Sequence, residues 1–374
     1  MHLTTLATAH FRNLSEVRIS PHRRFNILEG RNGQGKTNLL EAVYLLSAFR
    51  TFRDGTNRDI IEFGQDSAQI YAEIVRRDVK RSVEIRIGSK GKQVSLDGKT
   101  ITRLPAQLAH LNCVIFGPDD LSMTKGGPAL RRQFIDRAAY AIWPDYVTEL
   151  RGYQSALKSR NQLLKSGGPV DPAFLEAFER ELVRWAARVL HRRLLLLRTF
   201  RPHFVRIFSA ITDEELTGSI RYKGFADLEE TMEVEDLEAG YRAALVKSQA
   251  TDLRRGFTSV GPHTDDLVFG IDKRTARKFA SQGQHRAFVL ALKIAELERI
   301  RESIGVYPVF LLDDVSSELD ERRNASLMEY LDRAGGQVFI TTTDRRWIKV
   351  SADSSVFKVD AGTVVAVGPE QNGV

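Results

Sequence analysis

A glycine-rich stretch early in the sequence has the residue pattern of a loop that binds phosphate groups. Gly30 to Thr37 fits GxxxxGK[ST], in which glycines let the backbone turn tightly and direct its N–H groups toward phosphate oxygens. Lys36 is expected to pair with the β- and γ-phosphates of ATP, and the Thr37 hydroxyl to ligate Mg²⁺. A surface loop with a lysine of no function is the alternative. The residues predicted to bind ATP here are Gly30, Arg31, Asn32, Gly33, Gln34, Gly35, Lys36 and Thr37.

Two adjacent carboxylates could supply the acidic part of the same site. Asp313 and Asp314 close an apolar run, residues 309–312, that is typical of a strand buried on both faces. In open α/β sheets, ligands bind beyond the carboxyl ends of such strands. We expect Asp313 to hold Mg²⁺ through its water shell and Asp314 to polarise the attacking water, so Asp314 and Lys36 are the predicted catalytic residues. Taken alone, two acids after an apolar run could equally begin a loop or cap a helix.

A second helix start with the features of an anion site lies between these two motifs. Ser281 and Gly283 stand at the tip of a predicted helix that continues through residues 287–295. One phosphate loop already surrounds a nucleotide on one side. We therefore expect this tip to cap the γ-phosphate of a nucleotide held by another copy of the chain.

The elements that must position these residues are those of an α/β protein. Residues 25–29 predict a buried strand before the phosphate loop, and residues 38–46 predict a helix after it. The two motifs lie near opposite ends of the chain, so a long segment is inserted between them. Antiparallel strands are predicted between residues 71 and 101, where Leu96 to Lys99 has the composition of a hairpin turn.

The inserted segment changes to helical periodicity from about residue 128 to residue 253. Asp171 and Pro172 predict a helix start, and apolar residues recur at helical spacing on one face of that helix. The apolar face comprises Phe174, Phe178, Leu182, Trp185 and Val189. The opposite face carries Arg180, Arg184, Arg188, Arg192 and Arg193. This arginine stripe could follow a DNA backbone or could simply be solvated.

Composition limits the remaining choices. The 374 residues carry a formal net charge of +7, which favours polyanionic partners, and 42% hydrophobic content, which is ordinary for a globular protein. A single cysteine, Cys113, excludes an internal disulfide and predicts a small buried apolar residue. The first residues lack the features of a secretion signal, and no apolar run is long enough to span a bilayer. We therefore expect a cytoplasmic protein with no membrane partner.

The order of the motifs resembles that of ABC-type ATPases. The phosphate loop, the segment 281–284, the acid pair with its strand and the segment 317–320 are similar to the Walker A, signature, Walker B and D-loop motifs of that class. The resemblance implies an ABC-type P-loop ATPase head of the α/β class, with an antiparallel β portion and an inserted helical arm domain. It divides the chain into an N-terminal lobe at 1–125, a helical arm at 126–255 and a C-terminal lobe at 256–374.

Further blocks resemble the RecF family of bacterial recombination proteins nearly from end to end. They are residues 11–14, 116–121, 125–126, 131–136, 261–263 and 265–266. The resemblance implies ATP-dependent dimerisation with slow hydrolysis, binding to gapped, single-strand and double-strand DNA, and RecA loading with RecO and RecR during repair and replication-fork maintenance. It also implies that Ser281 and Gly283 reach the partner's nucleotide and that Arg12 lies near the nucleotide.

Three departures from the family patterns accompany this resemblance. Asp314 is one methylene shorter than the glutamate of typical transporters. Residues 341–344 occupy the segment where transporters carry a switch histidine, and Thr264 replaces the arginine expected after His263. The competing functions are a transporter's nucleotide-binding subunit, a metabolic P-loop kinase and an ATPase attached to a nuclease.

Overall fold

The computed structural model describes residues 1–48, 56–89, 91–101, 111–165, 171–212, 214–226, 228–314, 321–350 and 353–367. Its residues cluster into two compact units. Unit 1 comprises Met1–Leu121 and Leu292–Val374, and unit 2 comprises Ser122–Ala291. Unit 2 is therefore an insertion in the sequence of unit 1. The segment 317–320, which resembles a D-loop, lies outside the described residues.

Unit 1 contains two sheets among its described residues. An antiparallel sheet has the order β2-β1-β4-β5-β6-β7. Its strands are β1 (His2–Phe11), β2 (Leu14–Ile19), β4 (Ser67–Arg76), β5 (Val79–Gly88), β6 (Gly91–Leu96) and β7 (Lys99–Thr100). Asp97 and Gly98, between β6 and β7, have φ angles of 48° and 76°. Positive φ at both central positions is what a type I′ turn requires, so the predicted hairpin at Leu96 to Lys99 is confirmed.

The second sheet of unit 1 is largely parallel and has the order β15-β14-β3-β13-β12-β8. Its strands are β3 (Phe25–Glu29), β8 (Cys113–Phe116), β12 (Val309–Leu312), β13 (Val338–Thr342), β14 (Ser354–Asp360) and β15 (Thr363–Val367). Strands β3, β12 and β13 are buried along nearly their whole length and most of their residues are apolar, as expected for parallel strands covered on both faces. The predicted strands at 25–29 and 309–312 are thus confirmed.

Helix α1 (Lys36–Ala48) packs against strands of both sheets in unit 1. It is buried around nearly its whole circumference, which fits the apolar residues that it carries on every side from Leu39 to Leu46. A further helix, α2 (Asn57–Ile60), leads into β4. Side chains of α1 and both sheets form one hydrophobic core, and this core fixes the position of the loop between β3 and α1.

Unit 2 combines helices with a three-stranded antiparallel sheet of order β11-β10-β9 among its described residues. The strands are β9 (Gly218–Lys223), β10 (Asp266–Ile271) and β11 (Arg274–Thr275). The helices of this region are α3 (Ser122–Lys125), α4 (Pro128–Ile142), α5 (Tyr146–Leu164), α6 (Pro172–Ile211), α7 (Val234–Arg255), α8 (Ala276–Phe279) and the first part of α9 (Gln282–Ile304). The predicted boundary near residue 255 falls inside this unit, since β9 pairs with β10 across it.

Helix α6 begins at Pro172, and the Asp171 carboxylate accepts a hydrogen bond from Ala173 N at 2.8 Å, as the cap-and-proline pattern predicts. The predicted apolar face is wrong at its first position, because Phe174 is exposed. The arginine stripe is wrong at its last position, because Arg193 is buried against Asp136. The final helix of unit 1, α10 (Glu321–Ala334), precedes β13. Within the described ranges, no helix is both long and apolar enough to cross a membrane.

Candidate ATP-binding site

The phosphate loop connects the end of β3 to the start of α1. Its lysine side chain turns back into the loop, where Lys36 Nζ donates to Gly30 O at 2.6 Å and Arg31 O at 2.8 Å. Burial lowers the pKa of Lys36, while the nearby charges of Asp314 and Asp313 raise it. The ammonium therefore lies inside the loop and beside both predicted acids, as the motif requires.

Two glycines of the loop stand where no side chain would fit. A Cβ on Gly30 would lie 2.2 Å from Val359 O. Gly35 has a φ of +115°, and a Cβ there would lie 2.7 Å from Asn13 Oδ1. Arg31, Asn32 and Gly33 at the tip are exposed, whereas Gly35 and Lys36 are buried. The loop thus presents an exposed rim above a tightly packed base.

The acid pair follows β12, and its first member meets α1. Thr37 Oγ1 donates to Asp313 Oδ1 at 2.8 Å, although the two residues stand 276 positions apart in the chain. Asp313 N donates to Phe116 O at 2.8 Å, which extends the parallel pairing of β12 with β8 beyond the strand. The structure therefore brings together the two residues predicted to bind the metal.

This pair is chemically suited to Mg²⁺. The cation prefers a small number of protein oxygen ligands and retains several waters, and a threonine hydroxyl beside one carboxylate meets that preference. Thr37 and Asp313 are the residues that would hold it. When bound, the ion would neutralise charge on the β- and γ-phosphates.

Thr341, at the end of β13, joins the two acids and was not identified from the sequence as a site residue. Its hydroxyl donates to Asp313 Oδ1 at 2.8 Å and accepts from Asp314 N at 2.8 Å. Because β12 and β13 are parallel and Leu312 pairs with Ile340, Thr341 lies beside Asp313. A hydroxyl residue at the end of a neighbouring buried strand is the signal that could have revealed it.

The second acid, Asp314, has a left-handed backbone conformation with φ of 49°. A non-glycine residue in this region costs of order 1–3 kcal/mol, and such strain concentrates at functional sites. The hydrogen bond from Asp314 N to Thr341 helps to hold this conformation. Its role as the residue that polarises water stays a prediction.

Arg12 binds the side of α1 through its guanidinium. Arg12 Nη2 and Nε donate to the Glu41 carboxylate at 2.8 and 3.1 Å, and Nη1 donates to Asp59 O at 2.6 Å. Glu41 is completely buried, so this pair anchors the segment before β2 to the helix. The predicted position of Arg12 near the nucleotide is not tested by these contacts.

Ser281 and Gly283 lie in unit 2 at the start of α9. Ser281 Oγ accepts from Gln284 N at 3.2 Å, and Gln284 Oε1 accepts from Ser281 N at 2.8 Å. These reciprocal bonds form a capping box, which confirms the predicted helix start. Gly283 is the second residue of the helix, and Ser281 is exposed. Their action on a partner's nucleotide stays a prediction.

Four features together define an ABC-type P-loop ATPase. They are the antiparallel sheet, the largely parallel sheet that packs against α1, the inserted unit, and the phosphate loop with its acid pair. The sequence model of the family described as RecF/RecN/SMC N terminal domain matches residues 2–364 of this chain. The DNA replication and repair protein RecF of Citrifermentans bemidjiense is 39% identical over 367 residues, covering 98% of this chain and 100% of that protein. RecF of Myxococcus xanthus is 39% identical over 374 residues, covering 98% of this chain and 97% of that protein. The chain belongs to the RecF family.

Solved structures agree with this assignment. The structure described as the recombination mediator protein RecF-ATP in RecFOR pathway is similar with a TM-score of 0.88 and 31% identity, covering 98% of this chain and 99% of that one. The RecF-ATPrS structure gives a TM-score of 0.89 at 31% identity, with 98% of each chain covered. The Smc head domain from Pyrococcus furiosus, at 16% identity and a TM-score of 0.55, shares the fold.

Proposed function

We propose that this protein is an ATP-dependent DNA-binding switch of recombinational repair and replication-fork maintenance. It binds DNA at single-strand gaps and junctions and promotes RecA loading with RecO and RecR. The observation that carries the proposal is the hydrogen bond between Thr37 and Asp313, next to the buried ammonium of Lys36 in the phosphate loop. The full-length similarity to proteins named for DNA replication and repair supports the biological role.

In the proposed site, the loop amides and Lys36 bind the ATP phosphates, while Thr37 and Asp313 hold Mg²⁺. Asp314 polarises the attacking water. Asp314→Asn should therefore retain ATP and Mg²⁺ but hydrolyse slowly, whereas Asp313→Ala should lose metal-dependent binding. The same defect in both variants would contradict this division of roles.

DNA binding is proposed on the positive net charge of +7 and the family relationship. Each lysine or arginine that contacts a phosphate releases counterions, so affinity should fall steeply with salt. Arg180 and Arg184 on α6 are exposed and compatible with such contacts, but they are equally compatible with a solvated face.

Dimerisation is proposed to place the Ser281 helix tip of one subunit on the γ-phosphate of its partner. Two nucleotides would then be buried in a two-fold interface, so ATP would stabilise the dimer by mass action. Ser281→Arg should leave ATP binding by the monomer intact, because the phosphate loop is unchanged, and should prevent dimer formation and hydrolysis.

The test combines two measurements on the full chain. Fluorescence anisotropy with gapped, single-strand and duplex DNA, at two salt concentrations and with or without ATP, measures DNA affinity and its coupling to nucleotide. Light scattering of the wild type and Ser281→Arg, with and without ATP, measures assembly. The proposed switch is wrong if ATP changes neither DNA affinity nor the molar mass of the wild type.

A further inference from the structure

Two turns that are distant in the sequence contact the phosphate loop within unit 1. One is the turn at Asn13, between β1 and β2, and the other is the turn at Ala361 and Gly362, between β14 and β15. The first turn includes Arg12, which was predicted to lie near the nucleotide, but no role was predicted for Asn13 or for the second turn. Both contact Gln34, the residue that precedes the buried glycine at the base of the loop.

The contacts are specific hydrogen bonds to the backbone and side chain of the loop. Asn13 Nδ2 donates to Gln34 O at 3.1 Å, and Asn13 Oδ1 accepts from Asn38 Nδ2 at 2.7 Å, so one side chain links the loop to α1. Gly362 N donates to Gln34 O at 2.9 Å, and Ala361 N donates to Gln34 Oε1 at 2.7 Å. The carbonyl of Gln34 thus accepts from both turns.

The two turns also interlock sterically around the loop. A Cβ on Gly362 would lie 1.9 Å from Asn13 O, and a Cβ on Gly35 would lie 2.7 Å from Asn13 Oδ1. Both glycines have positive φ, +81° and +115°, which disfavours any side chain at either position. The loop backbone at Gln34 and Gly35 therefore has little room to change conformation without moving Asn13.

We propose that Asn13 is a positioning residue, which together with the β14–β15 turn holds Gln34 and Gly35 in the conformation that binds phosphate. This inference rests on the proposed ATP binding. A loop held in its binding conformation before the ligand arrives spends less free energy on ordering, so its affinity is higher. The amides of the loop face the phosphates common to ADP and ATP. The contacts of Asn13 and the β14–β15 turn with Gln34 are here called the brace. Loss of the brace should therefore weaken the binding of ADP and ATP to the same extent.

The experiment measures Kd for ADP and ATP together with KM and kcat for hydrolysis. Asn13→Ala removes the hydrogen bonds to the loop and to α1, and Kd for both nucleotides should rise about 3- to 10-fold. KM should rise with Kd, and kcat at saturating ATP should stay within about twofold of the wild type. Gly362→Ala, which disturbs the other turn, should give the same pattern.

Asn26→Ala is the matched control, because Asn26 is a buried asparagine on the strand that leads into the loop. Its side chain bonds His22 O and Val338 O, so its loss should lower the thermal unfolding temperature and leave Kd of the folded protein unchanged. Asn13→Asp keeps the acceptor for Asn38 but removes the donor to Gln34, so Kd should rise at least as much as in Asn13→Ala.

The outcomes separate this inference from the proposed function. A wild type that binds no nucleotide would contradict ATP binding itself. A wild type that binds nucleotide, beside Asn13→Ala and Gly362→Ala variants with unchanged Kd for ADP and ATP, would overturn only the brace. A fall in kcat with unchanged KM would also overturn it. If Asn13→Ala does not fold, Asn13→Asp, which keeps the size of the side chain and the acceptor for Asn38, decides the question.

Discussion

The buried cation of the phosphate loop in unit 1 and a buried cation of unit 2 have partners that differ in kind. In unit 1, Lys36 donates to two carbonyl oxygens of its own loop, and Thr37 donates to Asp313. In unit 2, Arg193 donates to both oxygens of Asp136 at 2.8 and 3.0 Å, and also to Pro262 O at 2.8 Å. A phosphate can displace a neutral loop carbonyl from an ammonium, whereas it cannot easily displace a bidentate carboxylate.

The hydrogen-bond network around Arg193 in unit 2, here called the closed network, extends to further residues. Tyr222 accepts from Arg193 at 3.1 Å and donates to Asp265 Oδ2 at 2.7 Å. Arg131 binds both oxygens of Asp266 at 2.7 and 3.0 Å. Each cation named here is matched to a fixed acid. A buried charge therefore indicates ligand binding only where a ligand can replace the partners that the charge has in the protein.

The largest expected effect is on the stability of the closed network. Arg193→Met replaces the aliphatic stem of the side chain but leaves the Asp136 carboxylate without its bidentate partner, which should cost about 3–5 kcal/mol of unfolding free energy. Urea unfolding measures this change. Arg184→Met, on the exposed face of the same helix, is the matched control. Adding Asp136→Leu to Arg193→Met should recover part of the lost unfolding free energy, because no unpaired carboxylate is then left. A loss below about 1 kcal/mol for Arg193→Met alone would contradict a closed network.

A smaller effect is the pH dependence of the unfolding free energy, which arises from Asp265 in the same network. Burial raises the pKa of Asp265 to about 6 from its ordinary value of 3.8, while Tyr222 and nearby arginines lower it. The folded state therefore binds this proton more tightly than the unfolded state. Its stabilising contribution is fully present below about pH 3.8 and is lost as pH rises through about 6, for a total of about 3 kcal/mol.

Asp265→Asn should remove this dependence while keeping an oxygen that can accept from Tyr222. The stability difference between the variant and the wild type should therefore shift in favour of the variant as pH rises from 4 to 7. Urea unfolding at each pH measures it. A difference that stays constant over that range would mean that Asp265 does not titrate there.

Substitution in the ATP-binding site should have the opposite result, with a large effect on ligand binding and a small effect on the stability of the fold. Lys36→Ala removes a cation from the phosphates, and charged hydrogen bonds of this kind contribute enough to weaken ATP binding roughly 10- to 100-fold. The unfolding free energy should change by less than about 1 kcal/mol, because the lost partners are loop carbonyls. Isothermal titration and urea unfolding test both halves, and unchanged ATP affinity would refute the assignment of the loop.

The smallest expected effect on stability is that of an exposed ion pair, against which the effect of the buried Arg193 can be compared. Arg242 and Glu238 form an exposed pair one turn apart on α7, with an N–O distance of 2.7 Å. Such pairs contribute about 0.3–0.5 kcal/mol, so Arg242→Ala should change stability by no more than about 0.5 kcal/mol. A cost comparable to that of Arg193→Met would show that unfolding does not distinguish buried from exposed arginines in this unit.

The sequence predicted those parts of the fold that local patterns determine. The strand before the loop, the helix at Lys36, the strand before Asp313 and the hairpin at Leu96 to Lys99 all follow from residue periodicity or turn composition. The contact between Thr37 and Asp313 was expected because strand ends in an α/β sheet meet at one edge.

Other features depend on pairings that periodicity does not reveal. Arg193 looked like part of a solvated stripe, and only the position of Asp136 on another helix explains its burial. Thr341 belongs to the site because β13 happens to lie beside β12, which the residues of β13 alone do not indicate. The brace at Asn13 likewise needs a turn from the far end of the chain.

The order of strands in the largely parallel sheet also affects how the protein is made. Strand β3 pairs with β13 and β14, and β8 pairs with β12, so strands synthesised early find their neighbours only near the end of translation. At about 5–20 residues per second, β3 waits roughly 15–60 s for β13. The antiparallel sheet, whose strands lie between His2 and Thr100, can form during that interval. Nascent chains should therefore expose the unpaired edges of β3 and β8 at this stage, and such edges favour aggregation until the later strands are made.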